Sequence, residues 1–296
     1  MTLTESETQG FLNRCVSCAY LKETGDFRNK TVLGDSFEAA AALPDECVDL
    51  LIADPPYNMT KTFGKQEFAR MSEEDYRAFT EKWVRAYRHT LKKTASVYVC
   101  CDWKSGIVIA PVLEKYFIVR NRITWQREKG RGAAANWKNG MEDIWFLTVS
   151  DKYVFNLGAV RQRKKVIAPY TEDGNPKDWF VLDGVKYRDT CPSNFWDDIT
   201  VPYWSMRENT THPTQKPEKL LAKLILASSN KGDLVLDPFG GSGSTAVTAK
   251  KLGRDYLSVE KAEEYCALTE CRLLRAESDA SVQGMEDGIF YARGLK

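Results

Sequence analysis

The stretch Val48-Asp49-Leu50-Leu51-Ile52-Ala53-Asp54-Pro55-Pro56-Tyr57 decides how this chain is read. Residues 48–53 are an apolar run with the character of a fully buried strand. The tetrapeptide Asp54-Pro55-Pro56-Tyr57 then places an acid and an aromatic at a strand's carboxyl end, where ligands bind in open α/β sheets. Two prolines stiffen the backbone and remove two N–H donors, leaving carbonyls that only accept. A carboxylate, fixed carbonyls and an aromatic face suit a flat ring bearing an exocyclic amine. Asp54 and the Pro55 carbonyl can each accept a hydrogen from such an –NH2 group, while Tyr57 stacks on the ring. The amine of adenine or cytosine is a poor nucleophile, because its lone pair is delocalised into the ring. Two acceptors pulling on its hydrogens favour a pyramidal nitrogen with a freer lone pair. Taken alone, the tetrapeptide also fits a strand that ends in a proline turn, with Asp54 as a cap and Tyr57 as packing.

The flanking segments alternate strand and helix. Residues 31–35 read as a short strand ending in Asp35, 36–43 as an alanine-rich helix, and 44–46 as a turn into the 48–53 strand. That rhythm predicts a parallel sheet. Residues 58–71 are polar, contain Gly64 and lack periodicity, so they are expected as a lid or a connecting loop. Ser72 is an N-cap with Asp75 at capping-box distance. Tyr76, Phe79, Trp83 and Tyr87 then recur at helical spacing as a core-facing stripe. A strand over 95–101, a helix around 105–115 and a strand around 117–125 follow. Residues 126–139 are loop-like, and 142–149 return as a strand, expected antiparallel at the sheet edge. Lys115, Arg120, Arg122, Arg127, Lys129, Arg131 and Lys138 face only Glu128 in this region. Such one-sided charge beside a base pocket is the footprint expected for phosphates, the alternative being a solvated face.

Composition bounds the partners. The 296 residues are 43% hydrophobic, enough for one large α/β domain or two smaller ones. A net charge of +1 announces no polyanion globally, so a nucleic-acid surface must come from local clustering. No apolar run reaches membrane-spanning length, and residues 1–10 lack the apolar core of a signal peptide. The eight cysteines follow no framework spacing, which fits a reducing cytoplasm. Cys15-x-x-Cys18 has no second pair, and His89 and His212 are distant, so ordinary thiols and no metal are expected.

Residues 151–211 break the αβ alternation. Prolines, turn residues and Trp179, Trp196 and Trp204 are mixed with charges, among them the basic cluster Arg161, Arg163, Lys164 and Lys165. This reads as an inserted, irregular or β-rich module of the kind that carries specificity while a sheet supplies chemistry. Residues 212–217 (His-Pro-Thr-Gln-Lys-Pro) open a helix running to about 229, with Pro217 near its first position. The 233–260 stretch is a strand ending in Asp237, a glycine turn through Gly240, Gly241 and Gly243, a helix, and a strand ending in Glu260. An acid after the second strand suits the two hydroxyls of a ribose. Gly241-x-Gly243-x-x-Ala246 also fits the loose dinucleotide fingerprint, so NAD is a competing reading. Asp237 would repel a pyrophosphate but can hold an ammonium group. A ligand with both an amino-acid ammonium and a ribose is S-adenosylmethionine, whose methyl is the electrophile that the amine pocket lacks. A charged helix to about 276 and a short tail close the chain.

Together these motifs resemble the β-group of bacterial DNA amino-methyltransferases, the adenine-N6 and cytosine-N4 enzymes of restriction–modification systems. The family's permuted order is matched, with Asp54-Pro55-Pro56-Tyr57 preceding Asp237-Pro238-Phe239-Gly240-Gly241-Ser242-Gly243. The 212–217 motif, Ile123-Thr124-Trp125 and Glu142-Asp143-Ile144 also resemble family motifs, and the likeness covers about 31–275. It implies a Rossmann-like class I S-adenosylmethionine-dependent methyltransferase sheet, circularly permuted, with an inserted target-recognition region. The expected organisation is a lead-in (1–30), a catalytic half (31–150), a target-recognition insert (151–211), a cofactor-binding half (212–276) and a tail (277–296). The resemblance implies catalytic roles for Asp54, Pro55, Pro56 and Tyr57. It assigns the cofactor's methionine end to Asp237, Phe239, Gly241, Gly243 and Thr245, with Asp54 nearby, its ribose to Glu260 and its adenine to Asp35 and Ser36. Thr214 and Lys216 help to close that pocket. DNA contacts are expected from Arg127, Lys129, Arg131, Lys138, Arg161, Arg163, Lys164 and Lys165.

The Asp-Pro-Pro-Tyr form resembles the adenine-N6 branch, so N6 methylation of a flipped-out adenine in double-stranded DNA is the expected activity. Cytosine N4, an RNA or protein-amide acceptor, and an inactive DNA-binding scaffold are the alternatives. A homodimer, a cognate restriction endonuclease and a bacterial or phage-encoded cytoplasmic setting are implied as partners and place.

Overall fold

The computed structural model describes all residues except 64–65, 128–133, 136, 168, 294 and 296, and leaves aside the side chains of 62, 63, 66 and 67. Lys129 and Arg131 therefore lie outside the described residues. The central sheet has eight strands. Its spatial order is Lys30–Leu33, Asp255–Glu260, Leu234–Asp237, Val48–Ala53, Leu91–Cys101, Met141–Thr148, Ile118–Gln126 and Phe195–Trp196. The first five run parallel. Met141–Thr148 alone is reversed, pairing antiparallel with both its neighbours. It was expected at the sheet edge, but Ile118–Gln126 and Phe195–Trp196 continue the sheet beyond it.

Alternation within Val48–Ala53 divides the core. Leu51 and Ala53 face one side, where they meet Trp83, Tyr87, Ile109 and Leu113. Leu50 and Ile52 face the other, against Leu220, Leu224, Ala246 and Leu273. A strand that is apolar at nearly every position is thus covered on both faces, as a parallel sheet requires. Along Glu73–Arg88 the expected stripe packs inward, with Tyr76, Trp83 and Tyr87 buried and Phe79 partly so. Ser72 caps this helix by accepting from the Asp75 N–H at 3.1 Å.

The lead-in contains two helices, Glu5–Leu12 and Cys18–Thr24. The 151–211 segment contributes Gln162–Lys165, Phe180–Leu182 and Val185–Thr190 to a second sheet, while its Phe195–Trp196 joins the main sheet. The stretch read as a tail contributes as well. Met285–Glu286 and Ile289–Tyr291 form a hairpin, and Ile289–Tyr291 pairs parallel with Gln162–Lys165. Sequence pattern misses this because the partner strand lies far away in the chain.

A buried ion cluster fastens this module to the Glu218–Ser228 helix. The Asp198 carboxylate takes the Lys223 ammonium at 2.7 Å and the Lys219 ammonium at 2.8 Å. Lys223 also lies over the Trp196 and Phe290 rings. Burial alone would raise the Asp198 carboxyl, but the two ammonium groups outweigh it and hold it below the ordinary range. Asp198→Ala leaves two buried cations without their carboxylate and is expected to cost about 3–5 kcal/mol in urea unfolding.

Candidate active site

Parallel pairing of Leu234–Asp237 with Val48–Ala53 sets Val235 opposite Leu50 and Leu236 opposite Leu51. Asp237 and Asp54 consequently leave the same edge of the sheet. Both open into one cavity of about 370 Å³, which Asp35, Ser36, Pro55, Pro56, Tyr57, Thr214, Lys216, Phe239, Gly241, Thr245 and Glu260 also line. Among the expected cofactor residues, Gly243 is not part of that wall. It is the N-cap of Ser244–Lys251 with φ 74°.

The glycine-turn end is built around two carboxylates. Asp237 accepts from the Thr245 hydroxyl at 2.6 Å and from the Phe239 N–H at 3.0 Å. These donors are neutral, and burial pushes the Asp237 carboxyl up to about 7. Glu260 accepts from the N–H groups of Gly241, Lys261 and Ala262, each at 2.8 Å. These bonds oppose burial, which still lifts its carboxyl above the ordinary range. The Glu260 carbonyl accepts from the Gly34 N–H at 3.0 Å, which joins the Asp35 turn to this end of the cavity. Asp35 caps Ser36–Ala42 through the Phe37 N–H at 2.9 Å, and Ser36 meets the Tyr87 hydroxyl. Phe239 packs edge-on against Trp83 with ring centroids 5.8 Å apart.

The 212–217 segment covers the cavity. His212 stacks edge-on with Tyr265 and lies against Gly241, where a Cβ would come within 2.9 Å of its Nε2. Burial lowers the His212 imidazole to about 3, so it is neutral at physiological pH. The Thr214 N–H points at His212 Nδ1 at 3.4 Å. Gln215 ties the segment down, accepting from Thr210 and donating to the Glu208 carbonyl.

At the other end lies a compact charged network. The Lys216 ammonium donates to Asp54 Oδ2 at 2.6 Å and to the Tyr57 hydroxyl at 3.1 Å. The Tyr57 hydroxyl lies 3.0 Å from Asp54 Oδ1 and 3.1 Å from Glu142 Oε2. Glu142 Oε2 is also 3.4 Å from the Lys216 ammonium, while its Oε1 pairs with Arg127. Asp54 keeps 22% of its side-chain surface open, against 9% for Lys216 and 8% for Glu142, so it is the accessible member. Burial pushes the Asp54 carboxyl up although Lys216 pulls against it. For Glu142, Lys216 and Arg127 together outweigh burial and hold the carboxyl down. The two carboxylates raise Lys216 despite its burial, so it is a firm cation. The Tyr76 hydroxyl donates to the Pro56 carbonyl at 3.0 Å and pins the proline turn. Residues 58–71 close at their base through paired hydrogen bonds between Asn58 and Met71, and Met59, Lys61 and Phe68 from this loop line the cavity.

Sequence reasoning grouped Lys216 with the cofactor residues, whereas its ammonium lies on Asp54. It read Arg127 as a phosphate contact and Glu142 as the start of a strand within a family motif. Glu142 reaches the Asp54 network because Met141–Thr148 runs in reverse, so its first residues share the edge where neighbouring strands end, and Arg127 meets it there just past the end of Ile118–Gln126. The signal was present in the pair of acids Glu142 and Asp143 at the start of an apolar strand. Of the other basic residues, Lys138, Arg161 and Lys165 are exposed and Lys164 is half-buried. Arg163 is held by Asp189 in two parallel bonds of 2.8 Å.

A family model described as DNA methylase, covering N6 and N4 methyltransferases, matches residues 48–270. The chain belongs to this family. The Type II methyltransferase M.HpaI of Haemophilus parainfluenzae is 31% identical over 249 residues, spanning 82% of this chain and 74% of the relative. The DNA adenine methyltransferase YhdJ of Escherichia coli K12 is 33% identical over 252 residues, spanning 82% of each chain. Among solved structures, the M1.HpyAVI–SAM complex superposes with a TM-score of 0.56 at 24% identity, covering 82% of this chain and 98% of that one. At that identity the likeness establishes the fold.

The glycine turn gives the site its sharpest steric test. At Gly243, φ is +74° and a Cβ would lie 2.4 Å from the Thr269 methyl. Gly243→Ala is expected to lower stability by about 1–3 kcal/mol through overpacking and the left-handed backbone, read as a fall in melting temperature.

Proposed function

We infer that the chain is a site-specific DNA methyltransferase that transfers a methyl group from S-adenosylmethionine to the N6 amine of adenine. The carrying observation is that an amine-accepting turn and a pair of carboxylates suited to an ammonium and a ribose open into one cavity. Family membership supports the reaction class. The name of the adenine methyltransferase relative supports N6 over cytosine N4.

The donor chemistry fits the cofactor. Asp237 is a buried carboxylate with neutral donors, which favours an ammonium guest. Glu260 has three acceptor sites filled by N–H groups and retains capacity for a ribose hydroxyl. When bound, S-adenosylmethionine supplies the electrophilic methyl. The chain's own residues do the rest. Asp54 and the Pro55 carbonyl accept the amine's hydrogens, and Tyr57 stacks on the base. The base must leave the duplex stack to reach this depth. Much of the rate comes from alignment and placed acceptors. Asp54, the open carboxylate whose proton affinity burial has raised, takes the proton that the amine loses on methylation.

Phosphate contacts in this reading come from exposed Lys138, Arg161 and Lys165, with Arg163 acting as a strut through Asp189. The reading extends to half-buried Lys164, to residues 151–211 as the target-reading region, and to a bacterial or phage-infected cytoplasm; Lys129 and Arg131 lie outside the described residues. Family membership supports a homodimer and a cognate endonuclease as further partners.

Incubating the pure protein with unmodified genomic DNA and S-adenosylmethionine, followed by single-molecule sequencing, should reveal N6-methyladenine in one short motif. Asp54→Ala should lower kcat by a factor of about 10²–10³ while cofactor binding stays within about twofold. Normal turnover by that variant would exclude the pocket assignment, and methylcytosine in place of methyladenine would exclude the N6 reading.

Cofactor affinity should also depend on pH through Asp237. Its carboxyl titrates at about 7 without a cation beside it, and an ammonium partner lowers that value. Below pH 7 binding must first release a proton, so Kd should rise by up to about tenfold per pH unit. Titration calorimetry in buffers of different ionisation enthalpy would measure both the slope and the proton. A flat Kd between pH 5.5 and 7, the window to be scanned at about half-unit steps, would remove Asp237 from the ammonium site.

A further inference from the structure

Lys216 obstructs the reaction that its neighbours are arranged to perform. Its ammonium takes Asp54 Oδ2 at 2.6 Å, the acceptor required by the target amine. The same ammonium lies 5.3 Å from the centre of the Tyr57 ring, where the base would stack. A base amine can engage Asp54 only if this ammonium moves, yet a buried ammonium stripped of its carboxylate is costly. A second carboxylate is already within reach. Glu142 Oε2 is 3.4 Å from the Lys216 ammonium, and Arg127 fixes its other oxygen.

We propose that Glu142 is a positioning residue that takes over the Lys216 ammonium when a target amine reaches Asp54, so that Lys216 guards the catalytic carboxylate and Glu142 lets it stand aside. This inference rests on the amino-methyltransferase reading. Tyr57 makes the exchange cheap. Its hydroxyl is nearly equidistant from Asp54 and Glu142, and its one proton can turn to whichever carboxylate the ammonium leaves. Every buried charge keeps a partner before and after the exchange. Without Glu142 the displaced cation has no carboxylate to move to, and base entry is opposed.

The test uses the full-length protein and an oligonucleotide carrying the recognition site found by sequencing, with 2-aminopurine at the target position to report flipping. Glu142→Gln should lower kcat/KM for DNA by roughly tenfold or more and reduce the flipped-base signal, with the cofactor Kd within about twofold. Adding Lys216→Met to that variant should recover at least about fivefold of the loss, because no cation remains to be displaced. Lys216→Met alone offers a readout independent of Glu142. It should strengthen the flipped-base signal, and it should move the acid limb of kcat to higher pH. The groups facing Asp54 are Lys216, Glu142, Tyr57, Lys61, Cys100, Tyr76 and Asp237, and removing the nearest cation leaves burial and Glu142 to raise the carboxyl further.

Wild-type kcat/KM in Glu142→Gln, multiplying losses in the double variant, or a weaker flipped-base signal in Lys216→Met would each overturn the proposal. If the wild-type protein leaves DNA unmarked, the functional reading falls and this inference with it. If the wild type marks DNA and the variants behave otherwise than stated, only the inference falls.

Discussion

The side-by-side pairing of Val48–Ala53 and Leu234–Asp237 is the constraint on which the site depends. A one-residue slip in that register would turn every side chain of a strand to the opposite face. The apolar alternation of both strands forbids it, because Leu50 and Val235 belong to one core layer and Leu51 and Leu236 to the other. Packing on two faces therefore fixes how far each strand projects at its carboxyl end. Asp54 and Asp237 inherit their spacing from that register. The proline turn after Asp54 and the glycine turn after Asp237, far apart in the chain, meet in one cavity because hydrophobic layers allow only one alignment.

That edge then faces an electrostatic problem. Asp54, Asp237 and Glu260 line one cavity, and Glu142 lies behind it against Tyr57 and Lys216. The structure answers differently at its two ends. At the catalytic end Lys216 and Arg127 supply opposite charge directly. At the glycine turn, backbone and hydroxyl donors hold the acids with no ion pair on Asp237 or Glu260 among the described residues. The first arrangement is self-sufficient and must be opened for work. The second is left incomplete in charge, and in the proposed reading a cationic ligand completes it.

The sequence made the chemistry legible where a motif is continuous. Asp54-Pro55-Pro56-Tyr57 and the Asp237-to-Gly243 turn each carry their backbone geometry with them, so their place at strand ends follows from local pattern. The core stripe of Glu73–Arg88 was equally readable from periodicity. What stayed hidden depends on strand direction and long-range pairing. Glu142 reaches Tyr57 and Lys216 because one strand is reversed, and an apolar run does not declare its direction. The 277–296 segment joins a sheet by pairing with a strand more than a hundred residues earlier, Gln162–Lys165, and its few apolar residues resemble a tail until Phe290 is seen buried against Lys223. Lys216 illustrates a third limit, since the motif gives its position while only packing decides which end of the cavity its long side chain enters.

The Glu218–Ser228 helix draws these parts together. Immediately before it, Lys216 reaches Asp54 in the catalytic pocket. One turn apart on the helix, Lys219 and Lys223 both reach Asp198 beneath the second sheet. Its buried leucines Leu220, Leu221 and Leu224 pack on the central sheet. A hydrophobic interface of this kind tolerates small slides, whereas ammonium groups buried against a single carboxylate tolerate very little. The ionic contacts therefore set the helix's register against the second sheet, and the leucines hold it to the first. The second sheet is in this way held at a fixed distance from Asp54 by a helix that also reaches the glycine turn, where Arg272 bridges Glu218 to Ser242 and Ser244, and that lines the cavity through Leu221.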